Sequence, residues 1–282
     1  MQVKFNLRSF EITIKLVAID IDDTLLSSQH QLLASTKQQV AKALEQGVKV
    51  VLCSGRPLAG VAPFLNQLGI AGDNQYVITF NGSIIETASG KILKEAGISR
   101  EAYQAIDDYS QATGLPYNVL DQNSVIYTSN VNVAPMTVVQ AWENEAGIHI
   151  RKPNEIDAAT QMVKAVFTGT SEQLDVHEPQ VHVQFGTDNY VVRAADLFLE
   201  VMHADVNKGK AVQYLANKLG FAPDEIMAIG DEKNDIPMFQ FAGTAVAMGN
   251  GSAEAKAHVD FITADNDSDG IAQAFDQFIF KV

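Results

Sequence analysis

The chain has 282 residues, of which 46% are hydrophobic and 19% charged, so it can bury a large core and disorder is not expected over most of its length. Its 34 acidic residues outnumber its 20 basic residues, which gives a formal net charge of −14. Nucleic acids and anionic membranes bind clustered basic charge, so neither is expected as a partner. The single cysteine, Cys53, excludes an intramolecular disulfide, and no apolar run approaches the length of a membrane span. We therefore expect a cytoplasmic protein.

The first third of the chain alternates strand-like and helix-like segments. Residues 16–21, 48–53 and 76–80 are apolar runs typical of buried strands. A helix with Ser35 as its N-cap and Gly47 at its end is predicted after the first strand, and a second helix is predicted over 58–68. This alternation predicts a doubly wound, parallel α/β sheet.

From about residue 84 the pattern changes. Helices are predicted over 99–113 and 135–146, and the segments 117–120 and 125–128 are predicted to form an antiparallel hairpin. Further strands are predicted at 163–168, 181–185 and 190–194. The sequence therefore predicts an inserted α+β domain, which we place at residues 86–192.

After residue 202 the α/β pattern returns. Asn207 is the predicted N-cap of a helix that ends at Gly220, and residues 226–229 form a short apolar strand. Residues 245–248 and 261–263 are predicted as the last strands, and 270–280 as a closing helix. The core domain is thus expected to consist of residues 1–85 and 193–282.

Polar residues follow the predicted strands of the core domain, where open α/β sheets bind their ligands. These residues are Asp20, Asp22, Thr24, Ser54, Gly55, Asn81, Asp231, Asn234 and Asp235. Lys208 opens a helix, and the backbone N–H groups of a helix start favour an anion.

This set of residues indicates phosphoryl transfer. Several carboxylates in one small site need a counter-charge, and oxygen ligands from Asp20, Asp231 and the backbone suit Mg²⁺, which commonly bridges to phosphate. The ammonium of Lys208 and the hydroxyl of Ser54 would complete an anion-binding site. Asp20 could then act as a covalent nucleophile, while Asp22 protonates the leaving oxygen and later activates water.

The same segments resemble the motifs of the haloacid dehalogenase-like (HAD) hydrolases, and in detail those of the Cof-type sugar-phosphate phosphatases. The matching segments are DIDDT at 20–24, LCSGRP at 52–57, TFNGS at 79–83, FLEVM at 198–202, NKG at 207–209 and IMAIGDEKNDIPM at 226–238. The resemblance covers nearly the whole chain from Lys15 onward, and it implies a Rossmann-like HAD core with an inserted α+β cap of the C2 type. One departure is Asp23, where glycine is frequent in the subfamily. Because Asp tolerates turn conformations, we expect it to be harmless.

The resemblance implies a role for each matching residue. Asp20 would attack phosphorus, and Asp22 would act first as general acid and then as general base. Mg²⁺ would be bound by the carboxylates of Asp20 and Asp231 and by the backbone carbonyl of Asp22. The phosphoryl oxygens would be held by Ser54, Gly55, Lys208, Asn234 and the Ile21 amide. Supporting roles would fall to Thr24, Asn81, Arg56 and Asp235, the last orienting Lys208 or a metal-bound water.

The predicted function is therefore hydrolysis of a small phosphorylated metabolite, such as a sugar phosphate, by a monomer or weak homodimer. A phosphomutase is one alternative, but mutases of this superfamily usually insert a cap between the first two motifs, and the segment from Thr24 to Ser54 is too short for a domain. A phospho-accepting signalling protein is another alternative, although such domains are much shorter. Residues 1–13 have no predicted role.

Overall fold

The computed structural model describes residues 14–281, so the segment 1–13, for which no role was predicted, lies outside the described residues. The strands are β1 Leu16–Asp20, β2 Lys49–Cys53, β3 Tyr76–Thr79, β4 Ile84–Thr87, β5 Ile92–Glu95, β6 Tyr117–Asp121, β7 Ile126–Thr128, β8 Ile148–Ile150, β9 Met162–Thr168, β10 Asn189–Ala195, β11 Phe198–His203, β12 Ile226–Gly230, β13 Thr244–Ala247 and β14 Phe261–Ile262. The α-helices are α1 Ala34–Glu45, α2 Leu58–Leu68, α3 Arg100–Thr113, α4 Pro135–Glu143, α5 Ser171–Phe185, α6 Lys208–Leu219, α7 Ile236–Phe241, α8 Ala253–Lys256 and α9 Gly270–Phe275. No helix between residues 14 and 281 is both long and apolar enough to cross a membrane.

The larger sheet has eight strands in the order β14-β13-β12-β1-β2-β3-β4-β5. Strands β14 to β3 run parallel, and β4 and β5 add to the edge in antiparallel orientation. Successive side chains of a strand point to opposite faces. Val17 and Ile19 therefore pack against α1, α2 and α9, whereas Leu16 and Ala18 pack against α6 and α7. Helices cover both faces, which confirms the predicted doubly wound α/β core.

The smaller sheet has six strands in the order β10-β11-β9-β6-β7-β8, with all neighbours antiparallel except β7 and β8. Helices α3 and α5 pack on one face. On the other face, Leu120, Val163 and Val166 pack with Phe80 and Ile84 of the core. The smaller sheet is therefore held against the edge of the larger sheet at which β3 ends.

Sheet pairing differs from the predicted division of the chain. Strand β4 pairs with β3 and strand β5 with β4, so residues 84–95 continue the larger sheet. Strands β10 and β11 pair with each other and with β9, so residues 189–203 belong to the smaller sheet. We propose that the inserted cap comprises residues 96–204 instead of 86–192. The apolar pattern of a strand does not indicate which sheet it joins, so the boundary could not be read from the sequence.

Two local predictions were wrong. Residues 181–185, predicted as a strand, are the last turns of α5, whose start is fixed by a reciprocal cap. The Thr170 hydroxyl accepts from the Gln173 amide at 3.3 Å, and the Gln173 side chain accepts from the Thr170 amide at 2.9 Å. Ser35 is not the N-cap of α1 but lies inside the helix, and its hydroxyl donates to Asp269.

Candidate active site

Strand β1 ends at Asp20, and residues 21–25 turn sharply at the carboxyl edge of the larger sheet. Asp23 has φ +57° and ψ 7°, the left-handed conformation that Asp tolerates. Its backbone carbonyl accepts a hydrogen bond of 2.7 Å from the Asn250 side chain. Thr24 is buried, and its hydroxyl donates to Asp231 Oδ1 at 2.7 Å. This hydrogen bond links the turn that follows β1 to the end of the neighbouring strand β12.

Lys208 lies between two carboxylates at the start of α6. The Asn207 side chain caps this helix by accepting from the Lys210 amide at 2.7 Å, as predicted. The buried Lys208 Nζ donates to Asp20 Oδ1 and, at 2.5 Å, to Asp235 Oδ1. Burial alone would lower the pKa of Lys208, but the two carboxylates outweigh it and hold the pKa above its ordinary value. Lys208 is therefore a constant positive charge beside Asp20.

Asp235 uses both of its carboxylate oxygens to organise the site. Its Oδ2 accepts from the backbone N–H groups of Asp231 at 2.9 Å and Glu232 at 3.0 Å, and its Oδ1 accepts from Lys208. The contact with Lys208 is the one expected if Asp235 orients that lysine. Three of the roughly four lone-pair sites of the Asp235 carboxylate are therefore occupied.

Three carboxylates form a cluster that could hold a cation. Asp20, Asp231 and Asp235 each offer an oxygen within 4.8 Å of the others. Both oxygens of Asp235 accept hydrogen bonds, whereas within residues 14–281 only Oδ1 of Asp20 and of Asp231 does so. Burial, with the neighbouring carboxylates adding to it, raises the pKa of Asp20 above its ordinary value and that of Asp231 to about 8. The site is thus short of positive charge. An oxygen-only, anionic ligand set with this deficit fits a hard cation such as Mg²⁺.

The predicted phosphate-binding residues meet at the ends of β2, β3 and β12. Ser54 is fully buried, and its carbonyl accepts from the Asn81 backbone amide at 2.8 Å. Asn81 in turn accepts from the Asn234 side chain at 3.2 Å. Ile21 follows Asp20 directly and is buried, and Gly55 lines the same cavity as Asp20. The structure therefore brings all of these residues to one edge of the sheet.

Arg56 contacts the predicted general acid. Its guanidinium donates to both carboxylate oxygens of Asp22, at 2.6 and 3.0 Å. The Asp22 side chain is 48% exposed, whereas that of Arg56 is 16% exposed. A bidentate pair of this kind fixes orientation as well as charge. Arg56 thus holds Asp22 at the mouth of the cavity.

The cap forms the remaining walls of a cavity of about 230 Å³ above Asp20. Its contributions, which sequence reasoning missed, are Gln140, Glu143, Asn144, Lys164, Ala194, Ala195, Phe198 and Glu200. His30 also lines this cavity. Glu200 lies within the FLEVM motif, so the motif was a signal, but nothing in the sequence indicated that this side chain points to the site.

A buried ion pair within the cap lies beside the cavity and contacts the core. Lys164 Nζ lies 2.6 Å from Glu200 Oε1, and the two side chains are 3% and 5% exposed. Lys164 also donates to the Gly55 carbonyl at 2.9 Å, and Glu200 accepts from the Asn81 side chain. Both cap residues therefore contact the edge that carries the predicted phosphate-binding groups.

A second, more apolar cleft of about 880 Å³ adjoins the cavity and shares His30, Arg56 and Glu143 with it. Trp142 lines this cleft and is 81% exposed. Its helix, α4, packs through Ala141 instead.

The sequence and the fold are both similar to those of known hydrolases. A family model described as haloacid dehalogenase-like hydrolase matches residues 17–275. M6_Spy0533 of Streptococcus pyogenes serotype M6, provisionally named a phosphatase, is 33% identical over 271 residues, covering 96% of this chain and all of its own. YxeH of Bacillus subtilis (strain 168), also provisionally named a phosphatase, is 31% identical over 266 residues, covering 94% and 98% of the two chains. A haloacid dehalogenase-like hydrolase from Bacteroides thetaiotaomicron has a crystal structure that superposes with a TM-score of 0.82 at 28% identity, over 94% of this chain and 99% of its own. The chain therefore belongs to the haloacid dehalogenase-like hydrolases, as its Cof-type motifs predicted, and it is a phosphatase.

Proposed function

We propose that the protein is a Mg²⁺-dependent phosphatase that hydrolyses small phosphate monoesters, such as sugar phosphates, through an aspartyl-phosphate at Asp20. The observation that carries this proposal is the buried cluster in which Lys208 bonds Asp20 and Asp235, with Asp231 beside them. Asp20 and Asp231, with the backbone carbonyl of Asp22, would hold the metal. When bound, Mg²⁺ would supply the positive charge that the substrate phosphoryl group and the carboxylates require.

In the first half of the reaction, Asp20 attacks phosphorus and the bond from phosphorus to the ester oxygen breaks. Lys208, which carries its charge permanently, stabilises the negative charge on the phosphoryl oxygens together with Ser54 and Asn234. Asp22 donates a proton to the departing oxygen. In the second half, Asp22 takes a proton from water as the water attacks phosphorus, which releases phosphate and restores the Asp20 carboxylate.

Arg56 is proposed to position the proton-transfer group. Because it bonds both oxygens of Asp22, it directs that carboxylate towards the cavity mouth. Proton transfer requires the leaving oxygen within hydrogen-bond reach of Asp22. Arg56 would therefore contribute by holding Asp22 in place, and Asp22 would release one oxygen from Arg56 to carry the proton to the leaving oxygen.

The small, polar cavity supports a small metabolite as the substrate, and the phosphatase names of the relatives support hydrolysis. The phosphomutase alternative finds no support in the described residues, because the segment between β1 and β2 holds a single helix, α1, and no cap. The cytoplasmic location and the monomeric or weakly dimeric state stay predictions.

The test is phosphate release from a panel of phosphorylated metabolites, with and without Mg²⁺. Asp20→Asn should abolish turnover, and Asp22→Asn should nearly abolish it, with both variants folded as judged by circular dichroism. Asp188→Asn, at an exposed turn of the cap, is a matched control that should keep full activity. Full activity in the Asp20→Asn protein, or activity that EDTA does not affect, would contradict the mechanism.

A further inference from the structure

Three side chains, those of Glu200, Asn81 and Asn234, form a chain of hydrogen bonds from the cap to a predicted phosphate-binding group. The Asn81 Nδ2 donates to Glu200 Oε2, and the Asn81 Oδ1 accepts from the Asn234 Nδ2 at 3.2 Å. Glu200 and Asn81 are buried, and all three residues line the cavity above Asp20. Asn234 is thus linked to the cap through one intervening side chain.

Lys164 holds Glu200 in place from within the cap. Strands β9 and β11 are neighbours, and their pairing sets Lys164 opposite Met202, two residues from Glu200 on the same face of the sheet. The Lys164 Nζ lies 2.6 Å from Glu200 Oε1 and also donates to the Gly55 carbonyl at 2.9 Å. The second carboxylate oxygen of Glu200 is the one that accepts from Asn81. The Glu200 carboxylate therefore has its counter-charge on one side and the Asn81 carboxamide on the other.

The backbone around Asn81 fixes the place of its side chain. Asn81 has φ +54° and ψ 27°, a left-handed conformation in which asparagine is enriched. Its backbone N–H donates to the Ser54 carbonyl at 2.8 Å. Gly55 lies against its carboxamide, since a β-carbon there would be 3.2 Å from Asn81 Nδ2. With its place fixed, the carboxamide can still exchange its oxygen and nitrogen by a half-turn.

The charge of Glu200 decides between these two orientations. An ionised carboxylate only accepts hydrogen bonds, so Asn81 presents its N–H₂ to Glu200 and its oxygen to Asn234. Asn234 must then present its own N–H₂ to Asn81. A carboxamide nitrogen carries two N–H groups, so the second one of Asn234 can donate to a phosphoryl oxygen. In the reverse orientation the Asn234 oxygen would replace this nitrogen and would repel the anion.

We propose that Glu200 is a positioning residue for phosphoryl transfer and that it fixes the orientation of Asn234 through Asn81. Lys164 keeps the Glu200 carboxylate directed at Asn81. The inference rests on the proposed phosphatase function and gives the cap a part in building the phosphoryl site of the core. Because Glu200 belongs to the cap and Asn234 to the core, the orientation is set when the cap rests on the core.

Glu200→Gln tests the orientation directly. With Lys164 present, the Gln oxygen pairs with the lysine and the Gln N–H₂ faces Asn81, which reverses both carboxamides. The kcat/KM for p-nitrophenyl phosphate with Mg²⁺ should fall by about 10- to 100-fold. Inorganic phosphate, titrated with Mg²⁺ in a calorimeter, should bind about 10-fold more weakly.

A double-mutant cycle separates positioning from support of the cap. Asn234→Ala removes the donor itself, so Glu200→Gln in the Asn234→Ala protein should lower kcat/KM by less than about twofold further. Glu178→Gln is the matched control, because it weakens another charge pair of the cap, the one with Arg193 at 3.2 Å. It should change neither kcat/KM nor phosphate affinity.

A second comparison uses two variants without the buried charge pair. Lys164→Met with Glu200→Gln leaves the Gln oxygen available to Asn81, so kcat/KM should stay within about threefold of wild type. Lys164→Met with Glu200→Met loses the same lysine and has no acceptor, so kcat/KM should fall by about 10-fold. This comparison decides the question even if Glu200→Gln alone does not fold, as judged by circular dichroism.

Three results would overturn the inference. Losses from Glu200→Gln and Asn234→Ala that multiply in the double variant would mean that Glu200 only supports the cap. The others are equal kcat/KM in the two Lys164→Met double variants and wild-type kinetics in a folded Glu200→Gln protein. If the wild-type protein binds phosphate but hydrolyses no ester, the proposed function fails, and the phosphate affinities of the variants still decide the inference. A wild-type protein that binds no phosphate overturns both.

Discussion

The ion pair between Lys164 and Glu200, which lies within the cap and contacts the core, offers a quantitative test of how much a buried charge pair contributes to stability. Its atoms are 2.6 Å apart and its side chains are 3% and 5% exposed, so solvent screens it little. Each partner has one more contact to the core: Lys164 with the Gly55 carbonyl at 2.9 Å, and Glu200 with Asn81. Losing one charge leaves the other buried without its counter-ion.

The substitutions are Lys164→Met and Glu200→Gln, singly and together. Each single variant should lower the free energy of unfolding by about 3–5 kcal/mol, the usual cost of breaking a buried pair from one side. The double variant carries no buried charge, and Gln keeps an acceptor for Asn81. It should lose only about 1–2 kcal/mol, mainly for the hydrogen bond to Gly55, and should be more stable than either single variant.

Urea unfolding followed by circular dichroism at constant pH measures these losses. Lys210→Met is the control, because Lys210 pairs with Asp205 at the surface, where the two side chains are 46% and 75% exposed. Its loss should stay below about 1 kcal/mol. If the losses of the two single variants simply add up in the double variant, the two charges are not coupled and the reasoning is refuted.

Three further predictions concern the core. Lys208→Met should lower kcat/KM by about 10²- to 10³-fold, because the positive charge beside the nucleophile is lost. Lys210→Met should leave kcat/KM unchanged. Steady-state kinetics measure both effects, and equal losses in the two variants would refute the role assigned to Lys208. Burial raises the pKa of Asp231 to about 8, so in the folded metal-free protein this carboxyl stays protonated between about pH 4 and 8, where it is ionised in the unfolded chain. Its contribution to stability therefore falls as the pH rises through that window. Mg²⁺ should therefore raise Tm more at pH 8 than at pH 5, and a rise independent of pH would contradict this. Gly209→Ala should cost about 1–3 kcal/mol, because a β-carbon there would lie 2.1 Å from a backbone oxygen of α7. In Gly147→Ala the nearest atom would be 3.7 Å away, so thermal unfolding should differ little from wild type, and a comparable loss in both would refute the steric argument.

Local signals predicted most of the core and the residues of its sheet edge. The apolar runs that became β1, β2 and β12 are buried on both faces, and such runs are recognisable in any sequence. The N-cap at Asn207 and the left-handed turn at Asp23 depend on the chemistry of one or two residues. Since parallel strands end at the same edge, their order alone was enough to expect the polar residues that follow them to lie together.

In the inserted cap domain, prediction from local sequence was less successful. Apolar and polar residues alternate over 181–185 as in a strand. The reciprocal helix N-cap formed by Thr170 and Gln173 nevertheless starts a helix that continues through these residues. Trp142, the single tryptophan, is exposed although large aromatic residues usually pack, because burial depends on what the rest of the fold places against a helix face. The local sequence alone indicates neither that residues 181–185 are helical nor that Trp142 is exposed.

The sequence by itself determined the family, the doubly wound core and the residues at its carboxyl edge, because these follow from strand periodicity, capping chemistry and short motifs. Tertiary structure alone decided which strands join which sheet, and it brought Lys164 to Glu200 and Gln140 into the cavity. These pairings join residues that are distant along the chain, and no local preference specifies them. They form because one face of the smaller sheet packs against the core, which buries apolar side chains of both sheets. The same packing places polar side chains of the smaller sheet at the cavity.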